Sequence, residues 1–373
     1  MAEHVLITGG AGFIGSHLCD ELLARGYAVR VLDNLSPQVH GTLRRDPPSY
    51  LSGNVEFMYG DIRDAKAVGK ALENIDAVFH FAAAVGVGQS MYEIRHYTSV
   101  NNYGTAVLLQ NILKSNVRRI ITASSMSIYG EGLYKRKNDG EPAVAERTPD
   151  QLRRGAWEPV GPGGGELEPI PTPEGKHPSI ASLYALSKYD QERMVLMIGK
   201  AYNIDAVALR FFNVYGTRQS LSNPYTGVLA IFASRYLNNK PPIIYEDGLQ
   251  KRDFVGVADV ARACRLALET PAVSGRVFNI GSGTAYTIRE AAAGIASALG
   301  KNGIDPVICG KYRVGDIRHC FADISSAREV LGYRPEIDFE KGMIECAQWL
   351  GNRIACDRVD KAHEELISRG LTI

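Results

Sequence analysis

Gly10, Gly12 and Gly15 in the stretch VLITGGAGFIGSHL satisfy Gly-x-Gly-x-x-Gly, and Gly9 extends the pattern to Gly-x-x-Gly-x-x-Gly. Between a strand and a helix such a run cradles a pyrophosphate. One glycine turns tightly, one lets the backbone approach the anion, and one lets helix and strand pack closely. The helix N-terminus then faces the anion, with Phe13 and Ile14 in its first turn. The glycines alone are weak evidence. Asp33, however, closes the next apolar run, VRVLDN, 18 residues beyond Gly15, where a carboxylate hydrogen-bonds a ribose diol. Asp33 and adjoining Asn34 therefore read as the ribose end of a dinucleotide site, and a carboxylate there repels a 2′-phosphate, which favours NAD over NADP. Asp61 and Ile62, after a third apolar run, would border the adenine, with an ordinary turn or cap as the alternative for Asp61.

Two further groups could do chemistry. SSMSIYG, Ser124 to Gly130, ends the apolar run Arg119–Ala123 in hydroxyls and no charge. Tyr184 and Lys188, in SLYALSKYDQERM, stand four apart and share one helical face. Each has a plain structural reading: serines at a strand end cap or turn the chain, and Tyr-x-x-x-Lys is a common solvated face.

The elements that must position these groups can be read from the pattern of the chain. Short apolar runs at Val5–Ile7, Val29–Leu32, Val55–Met58, Ala77–Phe81 and Ile120–Ala123 alternate with helical spacing over Ile14–Arg25 and Val100–Lys114. That alternation predicts an α/β fold, a Rossmann-type doubly wound parallel sheet with helices on both faces. From Asn213 the elements become short and mixed and end in helices over Ile288–Leu299 and Phe339–Leu350, as in a smaller C-terminal mixed α/β substrate domain. The expected division is 1–212 and about 250–275 for the NAD domain, and about 213–249 and 276–373 for the second. Residues 131–179, dense in Pro, Gly and charge without sustained periodicity, read as an insertion: a cover over a cleft or a disordered excursion.

Composition excludes other classes. At 373 residues, 45% apolar and 22% charged, the chain is a globular protein long enough for two domains. A net charge of +1 with interspersed signs gives no nucleic-acid footprint. The six cysteines include no Cys-x-x-Cys pair and do not cluster with the eight histidines, so no metal is expected and reduced cytoplasmic thiols are the reading. No apolar run reaches ~18 residues and no signal pattern opens the chain, so no membrane association is expected.

Taken together, TGGAGFIGSH, HFAA at 80–83, NNYGT at 101–105, SSMSIYG, Tyr184 with Lys188, RFFNVYG at 210–216, KRDFVGVADV at 251–260 and RVGD at 313–316 resemble the extended short-chain dehydrogenase/reductase family, in its NAD-dependent nucleotide-sugar epimerase/dehydratase branch. The resemblance covers nearly the whole chain. It implies that Tyr184 is the proton acceptor: a phenol near pKa ~10 is a poor base until a neighbouring ammonium and an oxidised nicotinamide favour its phenolate. Lys188 would also hold the nicotinamide ribose. Ser125 would hydrogen-bond the sugar oxygen as it changes between hydroxyl and carbonyl, with Met126 beside the sugar and Ser124 beside the cofactor. Ala82, Ala83 and Asn101 would line the cofactor, with close packing and capping as their alternatives. Asn213, Arg252, Arg313 and Asp316 match positions that hold the diphosphate or the nucleoside ribose, which suits a bidentate arginine and a diol-binding carboxylate. Neighbouring Arg218 and Arg318 fit less well. His80 is expected to be a packed structural histidine, and His319 stays open. The family also implies a homodimer that pairs the helices Val100–Lys114 and Tyr184–Lys200 into a bundle.

Members of the branch differ in the fate of a shared 4-keto intermediate. In the 4,6-dehydratases Asp and Glu come directly after the catalytic hydroxyl and serve as proton donor and acceptor, and decarboxylases commonly carry a Glu in that region. Here Met126 and Ser127 stand there, and neither runs acid–base chemistry near neutral pH. What remains is hydride removal, rotation of the keto sugar about its diphosphate, and hydride return to the other face: a 4-epimerase acting on a dTDP- or UDP-linked sugar. VGVGQSMYE at 85–93, the insertion, residues 222–235 and GKYRVGDIRHCFADI at 310–324 are most similar to the dTDP-L-rhamnose 4-epimerases, which interconvert dTDP-L-rhamnose and dTDP-6-deoxy-L-talose. UDP-hexose 4-epimerases are the nearest rival; there the position of Cys320 faces the sugar, and a small side chain leaves space. A 4-keto-sugar reductase and a silent NAD-binding protein are the remaining alternatives. Asp33 argues against the NADPH that the first requires, and Ser125, Tyr184 and Lys188 together argue against the second.

Overall fold

A computed structural model describes residues 3–41, 45–143, 147–220, 227–313, 315–351 and 359–372. Val314, Cys356 and residues 222–226 of the sequence motifs lie outside these. Seven strands form the main sheet: β1 (His4–Thr8), β2 (Ala28–Asp33), β3 (Glu56–Tyr59), β4 (Ala77–His80), β5 (Arg119–Ser125), β6 (Asp205–Phe211) and β7 (Val277–Ile280). They lie in the order β7-β6-β5-β4-β1-β2-β3, every pair parallel. The order reverses between β1 and β4, which opens a crevice at the carboxyl ends of those strands.

Both faces of the sheet are covered, which is why the strands read as apolar runs rather than alternating ones. Val5 and Ile7 of β1 point into a core with Leu18 and Leu22 of α1 (Phe13–Leu23) and with Val260 and Cys264. Leu6 points the other way, into a core with Val68 of α2 (Ala65–Ala71), Leu108 of α3 (Gly104–Ile112) and Val195 of α4 (Leu183–Tyr202). Local chemistry marks the helix starts. Asp64 accepts from Lys66 N at 2.9 Å to cap α2, and Ser182 accepts from Ala185 N at 3.1 Å to cap α4, each worth about 1 kcal/mol. Val100–Lys114 is not one α-helix throughout: it begins as a π-helical turn, Thr98–Tyr103, and continues as α3.

A second lobe has its own core, including Phe232, Ile295 and Met343, enclosed by helices Val228–Leu237, Ile288–Ala298 and Phe339–Gly351. Its sheet joins Asn213–Tyr215, Lys251–Gly256, Ala285–Thr287 and His319–Cys320. Two boundaries differ from the expected division. Val277–Ile280 is β7, at the edge of the main sheet, although it falls beyond 276; Lys251–Gly256 lies in the small sheet, while the helix after it, α5 (Val257–Glu269), packs with α1. A short apolar run carries no label for its pairing partner, so tertiary packing decides.

The insertion is folded. Leu133–Arg136 pairs antiparallel with Pro142–Ala143 and Leu167–Ile170, strands too short to show a period. Backbone bonds tie it to the second lobe: Thr172 N to Phe321 O at 2.8 Å, Asp323 N to Thr172 O at 3.0 Å, and Gly132 N to His319 O at 2.7 Å. A buried charge cluster seals the junction. Arg318, 0% exposed, donates to Glu158, Glu246 and Asp247, and Arg147 donates to Glu131 and Glu246. Among the described residues no helix is long and apolar enough to cross a membrane, no cluster fits a metal ion, and the cysteines are free thiols.

Candidate active site

The groups singled out by chemistry gather at the carboxyl ends of β1, β2, β4 and β5. After β1 the chain turns at Gly9 with φ +72°, and a Cβ there would lie 2.8 Å from Ala82 N. At Gly15 a Cβ would lie 2.6 Å from Gly10 Cα. Gly12 stands at the N-cap of α1 with no side chain to cap it, which leaves the first amides of the helix for an anion. At the end of β2, Asp33 accepts from Ala11 N at 3.1 Å and Leu35 N at 2.8 Å. Burial raises its carboxyl above the ordinary range, opposed by those amides and by His40. Each oxygen keeps a lone pair for a diol. A cradle that only glycine permits, an uncapped helix end and this carboxylate fit NAD.

Next to it, Asn34 donates to Asp61 at 2.9 Å, and Arg63 forks onto both Asp61 oxygens at 2.8 and 2.7 Å. The Arg63 hydrogen bonds hold the Asp61 carboxyl at about 2, against burial. Ile62 lies beneath α3, where a Cβ on Gly104 would come within 2.7 Å of its Cγ2. Asn101 was expected to line the cofactor, but its amide is spent inside the protein. It accepts from Ala84 N at 2.7 Å and donates to Ala84 O at 3.0 Å and Ser187 Oγ at 2.9 Å. Sitting in the π-helical turn, it fixes the Ala82–Ala84 loop, including Ala83, against α4.

The two serines ending β5 separate, because successive strand residues face opposite ways. Ser125 Oγ accepts from Ser127 N at 3.1 Å and lies beside the Tyr184 phenol, whose pKa it lowers. Ser124 instead donates to Glu192 at 2.7 Å, within a buried pair in which Arg210 forks onto Glu192 at 2.9 and 2.7 Å. Its hydroxyl is committed to that pair.

Tyr184 enters α4 with its amide donating to Ser90 Oγ at 3.0 Å. Burial pushes its phenol up, and the Ser125 hydrogen bond pulls it down. One turn on, Lys188 donates to Gln191 Oε1 at 2.7 Å. Burial brings its ammonium down to about 7, against the attraction of Glu192. Gln191 donates to Thr105 at 2.9 Å, and His80 bridges Thr105 at 2.8 Å and Thr8 at 2.9 Å. Burial, then Lys188, holds His80 at about 3, so it is the neutral structural histidine expected. Gln191, Thr105 and Ser90 were not found from the sequence; the i,i+3 spacing of Lys188 and Gln191 on one helix face was the available signal.

On the substrate side, the Arg252 guanidinium donates to the carbonyls of Lys251 at 2.9 Å, Arg318 at 3.0 Å and Ile317, and among the described residues no carboxylate pairs with it. Arg313 forks onto Asp316 at 2.9 and 3.2 Å over the Tyr245 ring, so these two expected ligand groups hold each other. Asn213 Oδ1 is buried and, among the described residues, has no hydrogen-bond partner. Met126 is buried in the first core. Cys320 is wholly buried, its thiol 3.9 Å from Thr172 Oγ1 of the insertion, and burial pushes that thiol up to about 12. Arg218 pairs with Asp20 at 2.7 Å, Arg318 is sealed in the charge cluster, and His319 bonds Glu158 at 2.9 Å.

The profile of the NAD dependent epimerase/dehydratase family matches residues 5–150 and 160–281. The dTDP-L-rhamnose 4-epimerase of Burkholderia thailandensis is 35% identical, covering 94% of this chain and 96% of its own. The UDP-glucose 4-epimerase of Mycolicibacterium smegmatis is 32% identical over 93% of this chain and 98% of its own. The Thermotoga maritima UDP-glucose 4-epimerase, solved with UDP-glucose, superposes with a TM-score of 0.76 at 31% identity, covering 93% of this chain and 98% of that one. At this identity and coverage the chain belongs to the NAD-dependent epimerase/dehydratase family, among its nucleotide-sugar 4-epimerases, isomerases that use NAD as cofactor.

Proposed function

We propose that this enzyme interconverts dTDP-L-rhamnose and dTDP-6-deoxy-L-talose. The observation that carries the reaction type is the Ser125 hydroxyl beside the Tyr184 phenol, followed in sequence by Met126 and Ser127 where an acid and a base for elimination would stand. The substrate rests on likeness to the Burkholderia enzyme.

Gly9, Gly12, Phe13, Ile14, Gly15, Asp33 and the Ala82–Ala84 loop would hold NAD, with Lys188 at its nicotinamide ribose. When bound, NAD accepts and returns the hydride, and its positive oxidised ring favours the Tyr184 phenolate against burial. Ser125 holds the sugar 4-oxygen while Tyr184 takes its proton, and the same phenol returns that proton after the keto sugar has turned over. Arg252 anchors the diphosphate about which the sugar turns. A UDP-hexose is the second reading, favoured by the UDP-glucose 4-epimerases among its relatives. The test mixes purified protein, without added NAD, with dTDP-L-rhamnose and with UDP-glucose and resolves products by NMR. An epimer from the first supports the proposal, an epimer from the second alone moves it to UDP-hexoses, and dehydration or no epimer overturns it.

We further propose a homodimer formed by the π-helical turn, α3 and α4. Tyr103, Leu186 and Met197 there are large, apolar and 58%, 42% and 54% exposed. Leu186 and Met197 share one face of α4.

A further inference from the structure

The C-terminal segment grips both halves of the site. On the second lobe, Thr372 makes an antiparallel backbone bridge with Arg313, and Asp360 binds Arg235 at 2.5 Å and Lys240 at 3.1 Å. On the NAD lobe, the helix Val359–Ser368 meets the segment 87–92, which opens with the short helix Val87–Ser90. Glu365 accepts from the Tyr92 hydroxyl at 3.2 Å, and the Arg369 guanidinium lies 4.2 Å from the centre of the Tyr92 ring. Leu366 packs on Gly88 so closely that a Cβ there would come within 3.2 Å of its Cδ2. The gripped segment carries Ser90, which accepts from the amide of Tyr184. Gln89 in the same segment accepts from Tyr97 at 3.0 Å.

We propose that residues 359–372 are a substrate-positioning clasp: they hold the 87–92 segment beside Tyr184 in register with the backbone at Arg313 in the second lobe, so that the nucleotide end of the substrate and the sugar-facing segment move as one unit. The inference rests on the nucleotide-sugar reading above. Among the described residues the clasp joins the two lobes through a few contacts: Leu366 packs on Gly88, Glu365 and Arg369 hold Tyr92, and Asp360 pairs with the buried Arg235 and with Lys240. What it joins are the two walls between which the sugar and its diphosphate would lie. Leu366 and Tyr92 are its positioning residues, acting through the 87–92 segment rather than on the reacting atoms.

Two measurements test it. In the full-length protein, dTDP and UDP are each added and trypsin cleavage after Arg369 is followed by mass spectrometry. Slowing by about fivefold or more with either nucleotide is expected, because ligand and clasp stabilise the same arrangement. In parallel, Leu366→Ala, Tyr92→Ala and a chain ending at residue 358 are compared in steady state. KM is expected to rise about tenfold with kcat and NAD content nearly unchanged. Unchanged KM together with cleavage indifferent to nucleotide overturns the clasp, whatever happens to melting temperature. Should the shortened chain not fold, the two point variants decide. Failure of the functional reading looks different: no sugar is epimerised, yet nucleotide still protects the segment.

Discussion

The Ser125 hydroxyl lies beside the Tyr184 phenol and draws its pKa down, while Lys188 turns its ammonium to Gln191, 2.7 Å away. The protein by itself therefore raises the phenol through burial and offers it only one stabilising hydroxyl. The phenolate is a property of the loaded site. Tyr184→Phe keeps the ring and its packing and removes the hydroxyl proposed to take the sugar proton. Turnover should fall about 10²–10⁴-fold, with NAD still released on denaturation in wild-type amount. Full turnover in this variant would remove Tyr184 from the mechanism.

The Lys188 ammonium gives a signed pH dependence. Its pKa in the folded protein is about 7, against 10.5 for an ordinary lysine. Between those values the unfolded chain binds more protons than the folded one, so this group makes stability rise with pH across that window. The cost of burying the charge is fully present below pH ~7 and gone above ~10.5. In NAD-free protein, Lys188→Met should remove this slope. Urea midpoints from pH 6.5 to 9.5, compared between the two proteins, check it; parallel curves would refute the assignment.

Glu192 and Arg210 form a fully buried pair that ties α4 to β6 and occupies Ser124. Arg210→Met leaves the Glu192 carboxylate buried without its cation and should cost about 3–5 kcal/mol in urea unfolding. Replacing both, as Arg210→Met with Glu192→Leu, should recover much of that loss, because the uncompensated charge rather than the missing attraction dominates.

Met197, on the exposed face of α4, tests the proposed dimer. Met197→Glu places a charge where two apolar faces would meet. It should shift sedimentation from dimer to monomer at micromolar concentration, while leaving the melting of the monomer within about 0.5 kcal/mol, as for a surface change. Wild-type protein that sediments as a monomer would end the dimer proposal without touching the catalytic one.

Much of the fold was legible because its signals are local and repeated. Apolar runs ending in Thr8, Asp33, His80 and Ser125 alternate with helical spacing, and a parallel sheet puts every such end on one edge. The roles of Ser124 and Asn101 were harder. Strand alternation alone tells that Ser124 and Ser125 cannot both face the site, but not which one does, since that depends on what covers each face. Asn101 could serve a ligand or the backbone, and the π-helical turn that aims it at Ala84 leaves no pattern in sequence. Gln191, Thr105 and His80 bond across 111 and 86 positions of chain, which spacing does not report. The insertion hides for a third reason: strands of two to four residues have no period, and its fold is held by Arg318 and Arg147, arginines that composition cannot tell from solvated ones.

Arg252 and Arg313 were read alike from sequence, and the structure separates them. Arg252 has three carbonyl partners and, among the described residues, no carboxylate, which suits the diphosphate role proposed for it. Arg313 is already forked onto Asp316, and any phosphate must compete with that carboxylate. Hydrogen bonds to charged groups are worth about 1.5–3 kcal/mol, so Arg252→Leu should weaken dTDP binding about 10–100-fold in calorimetry. The loss should shrink with added salt in wild type, as a screened charge interaction does. Arg313→Leu should cost less, because it also releases the work of breaking the Asp316 pair. Asp316→Asn alone should tighten dTDP if Asp316 only competes for Arg313, and weaken it if Asp316 binds the ribose diol. The two single variants thus rank the arginines, and Asp316→Asn decides which of its two partners the carboxylate serves when nucleotide is bound.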